Sequence, residues 1–161
     1  MATTNPSYYR SGGCHDIRQH EEHLFHLYMN QHLEGSPDGG NQKVVVNSRL
    51  PMLFGFVVAN DWTIRDGPAP KANLVAHARG VHIGAGKADE SWLLCHSILF
   101  TDTSRFKGSI LKMLGNFAMD TNGVATDGEW AIIGGTGEFA YANGVVTAKI
   151  VENMHPTNGR I

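Results

Sequence analysis

The sequence predicts an all-β protein of about eight antiparallel strands that form a barrel or a sandwich. Three observations support this fold class. Short stretches rich in β-branched and aromatic residues recur along the chain, and turn-forming residues separate them at intervals of about 10–12 residues. No long stretch shows the apolar spacing typical of an amphipathic helix. Finally, 19 glycines supply the tight turns that many short strands need.

Each predicted strand ends at residues that favour turns. The loop at residues 34–41 is rich in glycine, and Gly67 with Pro68 marks a later turn. The most apolar segment, at residues 92–101, is predicted to be a central strand. The predicted strands cover residues 24–32, 44–47, 53–60, 74–83, 92–101, 109–116, 130–133 and 139–152.

The 161 residues are predicted to form one domain. We expect a flexible arm at residues 1–22, the domain at residues 23–152, and a tail or the start of a linker at residues 153–161. The formal net charge of −2 gives no general attraction to nucleic acid or to an anionic membrane, so neither partner is expected. No secretory signal or membrane-spanning run is visible, which predicts a cytoplasmic location, with the extracellular apoplast as the alternative.

The N-terminal region contains several potential metal ligands: Cys14, His15, His20, Glu21, His23 and His26. Their spacing matches no zinc signature, so we predict solvated histidines, no metal site and no cofactor. The two cysteines cannot form a disulfide scaffold. Because Cys95 lies in an apolar run, it is predicted to be a small buried side chain.

A glycine-rich segment follows the apolar residues 130–133 and consists of Gly134, Gly135, Thr136 and Gly137. A phosphate-binding loop needs a helix after it, but residues 141–151 are rich in β-branched side chains and have no helix cap. The chain also lacks the Gly-Lys-Ser/Thr of a P-loop. We therefore predict a corner between two strands. Its glycines determine which face of the sheet the following side chains occupy.

Three motifs in order make the chain resemble the dirigent family. Their residues are Phe54, Gly55, Asp61, Gly67 and Pro68; then Phe100, Phe106, Gly108, Ser109 and Leu111; and then Gly134, Gly135, Thr136, Gly137, Phe139, Ala142 and Gly144. The resemblance covers about residues 22–152 and implies an eight-stranded antiparallel β-barrel of the dirigent and allene-oxide-cyclase type, which forms homo-oligomers. The acidic–tryptophan pairs at residues 61–62 and 129–130 most resemble the dirigent domains that grasses fuse to a jacalin-related, mannose-binding lectin domain.

The resemblance also implies a pocket in which aspartates and an arginine steer phenoxy radicals or quinone methides. Asp61 matches a family aspartate. However, Gln31 stands where the family commonly has an acid, and Asn143 stands where it has the arginine. An amide is neither an acid nor a fixed positive charge, so we predict a domain without catalytic activity.

Strand alternation predicts which side chains line the barrel. We expect the small residues Ala76, Ala78 and Gly80 to face outward and the larger residues beside them to face inward. The predicted ligand-binding residues are Asp61, His77, Arg79, His96, Tyr141 and Asn143. Because buried polar groups need partners, this set indicates a ligand cavity. Alternatively, the aspartate, His77 and Arg79 form a self-contained network, and His96 is a core residue.

Polar groups beside an aromatic face suit a sugar. The leading hypothesis is a non-catalytic domain that binds a small polar ligand, a saccharide first, in or at the mouth of the barrel. It would act in plant defence with a fused lectin domain. One alternative is a dirigent protein that steers the coupling of phenoxy radicals, and so binds a phenolic ligand, in lignan or lignin synthesis. Another is an oligomerisation or interaction module.

Overall fold

The described part of the chain in the computed structural model comprises residues 21–36, 39–121, 123 and 125–151. Residues 1–20 and 152–161 lie outside it, and with them most of the predicted arm and tail, including Cys14, His15 and His20. The bounds of these two terminal segments therefore stay predictions.

Eight strands in the described residues confirm the all-β fold class. The strands are β1 (Tyr28–Asn30), β2 (Gln42–Val46), β3 (Val57–Arg65), β4 (Leu74–Gly84), β5 (Ser91–Phe100), β6 (Ile110–Ala118), β7 (Gly128–Thr136) and β8 (Gly144–Ala148). Two short 3₁₀ helices, Pro51–Leu53 and Gly137–Phe139, precede β3 and β8. None of the helical segments in the described residues has the length and apolar character needed to cross a membrane.

All strand pairs are antiparallel and join the eight strands into one sheet. β1 and β2 lie end to end along β3, and each later strand pairs with the next as far as β8. Within the described residues, β8 pairs with β7 and not with β1 or β2. The sheet is therefore a curled half-barrel.

Apolar side chains from the length of the sheet meet on its concave face. The buried members of the main cluster are Trp62, Ile64, Ala76, Ala78, Leu94, Ile98, Phe100, Leu111, Met113 and Phe139. Partly buried residues of β7 and β8 pack against the same cluster. A flat sheet could not bring β3 and β8 to one core, so the curvature follows from burial of a single apolar face.

The predicted orientation of the side chains on β4 is wrong. Ala76 and Ala78 are fully buried, whereas His77 and Arg79 lie on the opposite, outer face. The physical reason is space: Ala78 lies between a tryptophan on β3 and Ile98 on β5, and the concave side of a curled sheet is the crowded side. Small residues on β4 leave room there for the larger side chains of the neighbouring strands.

The glycine segment forms a corner whose turn comes slightly later than predicted. Gly134 and Gly135 still belong to β7, and β8 begins only at Gly144. A Cβ added at Gly135 would lie 2.6 Å from the carbonyl oxygen of Ile110, so the glycine permits a close approach of two strands. After the 3₁₀ helix, Tyr141 adopts a left-handed backbone conformation with φ of 67°, which interrupts the predicted strand alternation.

Candidate functional site

Three polar side chains from neighbouring strands meet on the concave face. Asn60 of β3, His82 of β4 and His96 of β5 are all buried. The Oδ1 atom of Asn60 lies 3.0 Å from Nδ1 of His82 and 3.0 Å from Nε2 of His96. We call these three residues the inner cluster.

The register of the sheet positions the inner cluster around a glycine. Asn60 pairs with Gly80 on β4, and Gly80 pairs with His96 on β5. A Cβ added at Gly80 would collide with the carbonyl oxygen of Cys95 and lie 2.6 Å from Cδ2 of the His96 ring. The missing side chain therefore provides the space that the imidazole occupies, and lets the ring reach across β4 to the amide.

A chain of directional hydrogen bonds fixes the tautomers of both histidines. The Oε1 atom of Gln42 accepts hydrogen bonds from Nε1 of Trp62 at 3.1 Å and from Nδ2 of Asn60 at 3.4 Å. The amide of Asn60 therefore presents its oxygen to the two imidazoles, so Nδ1 of His82 and Nε2 of His96 are the protonated nitrogens.

Both histidines of the inner cluster are neutral at physiological pH. Burial lowers the pKa of His96 to about 4. Burial, with a smaller contribution from the charge of the neighbouring imidazole, lowers the pKa of His82 to about 4. A charged imidazole loses its hydration in this position and gains no counter-ion from the described residues, so the neutral form is favoured.

Two polar atoms near the inner cluster lack a hydrogen-bond partner in the described part of the chain. They are Nδ1 of His96 and Nε1 of Trp92. An indole nitrogen can only donate, whereas the unprotonated imidazole nitrogen accepts. Among the described residues, the concave side of the sheet therefore contains one buried unpaired donor and one buried unpaired acceptor.

Aromatic rings surround these polar atoms. Trp62 lies 4.8 Å from the ring of His96, measured between centroids, and Trp92 lies 5.0 Å from the ring of His82. The rings of Trp92 and Phe117 are parallel to within 3°. This combination of flat apolar surface with a few directed polar groups is typical of a site for a planar aromatic ligand.

The structure places three predicted ligand-binding residues together, but outside the barrel. Oδ1 of Asp61 accepts hydrogen bonds from Nδ1 of His77 at 2.6 Å and from Nε of Arg79 at 3.1 Å. Partial burial opposes ionisation of the carboxyl, but the hydrogen bonds from Arg79 and His77 outweigh it and lower the pKa of Asp61. We call these three residues the outer cluster; they form the self-contained network that the sequence left as an alternative.

The other predicted residues fall into two places. His96 is in the interior, as expected, whereas Tyr141 is 89% exposed. With Asn143 and the glycines of the corner, this tyrosine lines an open groove of about 760 Å³. The predicted inward facing of Tyr141 is wrong because the turn before β8 reverses the alternation.

The sequence interpretation missed Asn60, His82 and the free nitrogen of Trp92. The signal was present: Asn60 is in phase with the apolar residues Val58 and Ile64, and a polar residue on an apolar face indicates a buried hydrogen bond. Cys95 was predicted to be buried, but it is exposed on the outer face.

The described residues contain no group of three or more side chains able to hold a metal ion. The two amides that were predicted to replace an acid and an arginine have other contacts. Gln31 is exposed and donates a hydrogen bond from Nε2 to Oε1 of Gln42 at 2.8 Å, and Asn143 lies at the open groove. Neither residue touches the inner cluster directly.

Comparisons with known proteins agree with this architecture. Pterocarpan synthase 1 of Glycyrrhiza echinata is 27% identical over 153 residues, covering 92% of this chain and 79% of that protein. Dirigent protein 7 of Arabidopsis thaliana is 30% identical over 135 residues, covering 83% and 68% respectively. A solved pterocarpan synthase dirigent protein superposes with a TM-score of 0.60 at 26% identity, covering 76% of this chain and 79% of the other. A family model described as dirigent-like protein matches residues 22–161, and the chain belongs to this family.

Proposed function

We propose that this protein binds a planar phenolic intermediate on its concave face and holds it in one orientation while a new bond forms. The observation that carries the proposal is the free donor and free acceptor beside the inner cluster, enclosed by aromatic rings. Rings provide apolar contact for a flat ligand, and directed polar atoms select one of its two faces.

Radical coupling requires the protein only to orient the two monomers. An external one-electron oxidant removes one electron and the phenolic proton from each monomer, and two radicals then pair their electrons in a new bond. The neutral imidazoles of His82 and His96 are weak bases, so we assign them no proton transfer.

The names of the similar proteins support this dirigent function over saccharide binding. They are named as dirigent proteins and pterocarpan synthases. The saccharide hypothesis also depended on His77 and Arg79 as cavity residues, and both lie on the outer face with Asp61. The fused lectin domain, the homo-oligomer and the cytoplasmic location stay predictions.

Stereoselective coupling tests the proposal. Coniferyl alcohol is oxidised by a one-electron oxidase with and without the protein, and the dimers are separated by chiral chromatography. We expect an excess of one enantiomer with the folded protein and a racemic product with heat-unfolded protein. Racemic product from the folded protein would contradict the proposal.

A variant of the outer cluster provides the matched control. Asp61→Asn keeps the size of the side chain and lies away from the concave face, so it should retain the enantiomeric excess of the wild-type protein. If this variant alone abolishes the excess, the site of orientation is the outer face and the concave-face assignment is wrong. A glycan array run in parallel tests the saccharide hypothesis.

A further inference from the structure

Three phenylalanine rings pack together at the margin of the main apolar cluster. Phe100 ends β5, Phe106 lies in the loop after it, and Phe139 belongs to the 3₁₀ helix of the glycine corner. Their centroids lie 4.9, 5.2 and 5.4 Å apart, so each ring contacts the other two. We call these three residues the aromatic triad.

Contacts of its own hold the aromatic triad in place. Phe100 and Phe139 are 7% and 3% exposed within the main apolar cluster. Arg105 stacks on the ring of Phe106, with Cζ 4.6 Å from the ring centroid. The same guanidinium pairs with Glu138, next to Phe139, with 3.2 Å between Nη1 and Oε2. It therefore links the loop to the corner, and the triad is a preorganised aromatic surface.

A fourth phenylalanine covers this surface. The ring centroid of Phe25, before β1, lies 5.4 to 6.1 Å from those of the three triad rings. His23 adds edge-on contacts to two of them, at 5.6 and 5.8 Å. Leu27 packs against the main cluster, whereas Leu24 is 87% exposed. Alternate side chains of this segment therefore face the core.

Side chains alone hold residues 21–27, which we call the plug. No backbone hydrogen bond joins the plug to the rest of the described chain, and the ion pair between His23 and Glu21 lies within it. Phe25 itself is 41% exposed. A segment with few buried contacts and no backbone hydrogen bonds opens at a low cost in free energy, whereas the buried triad stays in place.

We propose that the aromatic triad is a binding site for one aromatic ring of a ligand, and that Phe25 occupies this site until the ligand displaces the plug. The occupant defines the shape that fits, which is a six-membered ring in contact with three others. Because Phe25 is partly exposed, a ligand reaches the triad from solvent once the plug has moved.

The site borders the one proposed above, since Phe100 and Phe139 share a buried cluster with Trp62, whose ring contacts His96. The inference rests on the proposed function, which it deepens by naming the segment that regulates access to the concave face.

Affinity for a small aromatic probe tests the plug. 4-Fluorobenzyl alcohol carries one ring and no phenolic hydroxyl, and its fluorine resonance reports binding. Phe25→Ala empties the site. If the plug leaves the site free in about a tenth of the molecules, this variant should bind the probe about 10-fold more tightly than the wild-type protein. Leu24→Ala shortens an exposed side chain of the same segment and should bind like the wild type. Equal affinity of Phe25→Ala and the wild type would overturn the inference.

A second substitution locates the probe. Phe106→Ala removes one wall of the site, so adding it to Phe25→Ala should cancel the gain in affinity. Leu114→Ala truncates a side chain of the outer face and, added to Phe25→Ala, should leave the gain intact. A gain that survives Phe106→Ala would place the probe elsewhere and overturn the assignment.

Proton NMR provides a measurement on the unmodified protein, should Phe25→Ala not fold. In the free protein, nuclear Overhauser effects should connect the ring protons of Phe25 with those of Phe106. Saturation with the probe should weaken these effects and produce new ones between the probe and Phe106. Effects between the two phenylalanines that persist unchanged at saturation would overturn the displacement.

The inference and the proposed function fail in different ways. Enantiomeric excess in the coupling reaction, without tighter probe binding by Phe25→Ala, would overturn the plug and support orientation on the concave face. Tighter probe binding by Phe25→Ala, with racemic coupling, would support the plug and overturn the proposed function.

Discussion

Two histidine-containing clusters lie on opposite faces of the sheet. Asn60 of the inner cluster and Asp61 of the outer cluster are consecutive residues of β3, so strand alternation sends one to the core and the other to solvent. In each cluster one side-chain oxygen accepts two hydrogen bonds, at 3.0 Å for both in the inner cluster and at 2.6 and 3.1 Å in the outer cluster. The geometry is similar, but the environment differs.

The difference shows how burial selects the partner of a histidine. In the core the acceptor is a neutral amide, and the imidazoles stay neutral because a charge there would lose its hydration. On the outer face the acceptor is the carboxylate of Asp61, whose side chain is 49% exposed and whose charge water screens. The inner cluster should therefore respond strongly to pH and to substitution, and the outer cluster weakly.

The largest expected effect is acid destabilisation through the inner cluster. His82 and His96 bind protons near pH 6.5 in the unfolded chain but only near pH 4 in the folded protein. Between these values the unfolded state binds more protons, so the free energy of unfolding falls as the pH falls. The loss is at most about 1.4 kcal/mol per pH unit for each histidine. Urea unfolding at a series of pH values measures the slope.

Two substitutions assign the slope to the inner cluster. His82→Gln removes one of the two titrating groups, so the slope between pH 6.5 and pH 4 should fall to about half. Asn143→Ala, at the open groove, removes no titrating group and should leave the slope close to that of the wild-type protein. A free energy of unfolding that stays level from pH 6.5 to pH 5 would contradict a neutral buried pair.

The next largest effect is expected from loss of the shared acceptor. Asn60→Leu keeps the branched shape and the number of heavy atoms but leaves the N–H groups of His82 and His96 without their partner. At about 1–3 kcal/mol for each unpaired group, the free energy of unfolding at pH 7.5 should fall by about 2–6 kcal/mol. Chemical denaturation measures it, and a change below about 1 kcal/mol would show that the histidines find other partners.

The fold could be predicted from the sequence because strand and turn signals are local. The strands at residues 74–83 and 92–101 were placed within one residue of β4 and β5 at either end. β3 was ended too early, at residue 60, because Asn60 and Asp61 are residue types that disfavour strands, and the strand-forming residues 62–64 after them were overlooked. Pairing with β4 keeps the two polar residues extended, which is a tertiary effect that local propensity does not contain.

The site was harder to predict because packing between strands decides which face of the sheet each side chain occupies. Ala76 and Ala78 suggested an outer surface, yet they are the residues that make room for Trp62 in the curled sheet. Likewise, the left-handed conformation of Tyr141 could not be read from a residue type that seldom adopts it. One wrong phase on β4 placed His77 and Arg79 inside and left His82 unnoticed, whereas His96 on β5 was placed correctly.

The smallest effect is expected from Asp61→Asn, the outer counterpart of the change at Asn60. The side chains of Asp61 and Arg79 are 49% and 53% exposed and that of His77 is 24% exposed, so the free energy of unfolding at pH 7.5 should fall by only about 0.2–1 kcal/mol. Salt should reduce the difference between this variant and the wild-type protein, because exposed charges are screened. Denaturation at low and high salt measures both quantities. A loss above about 2 kcal/mol, insensitive to salt, would mean that the outer cluster is buried, as it would be under a second copy of the chain.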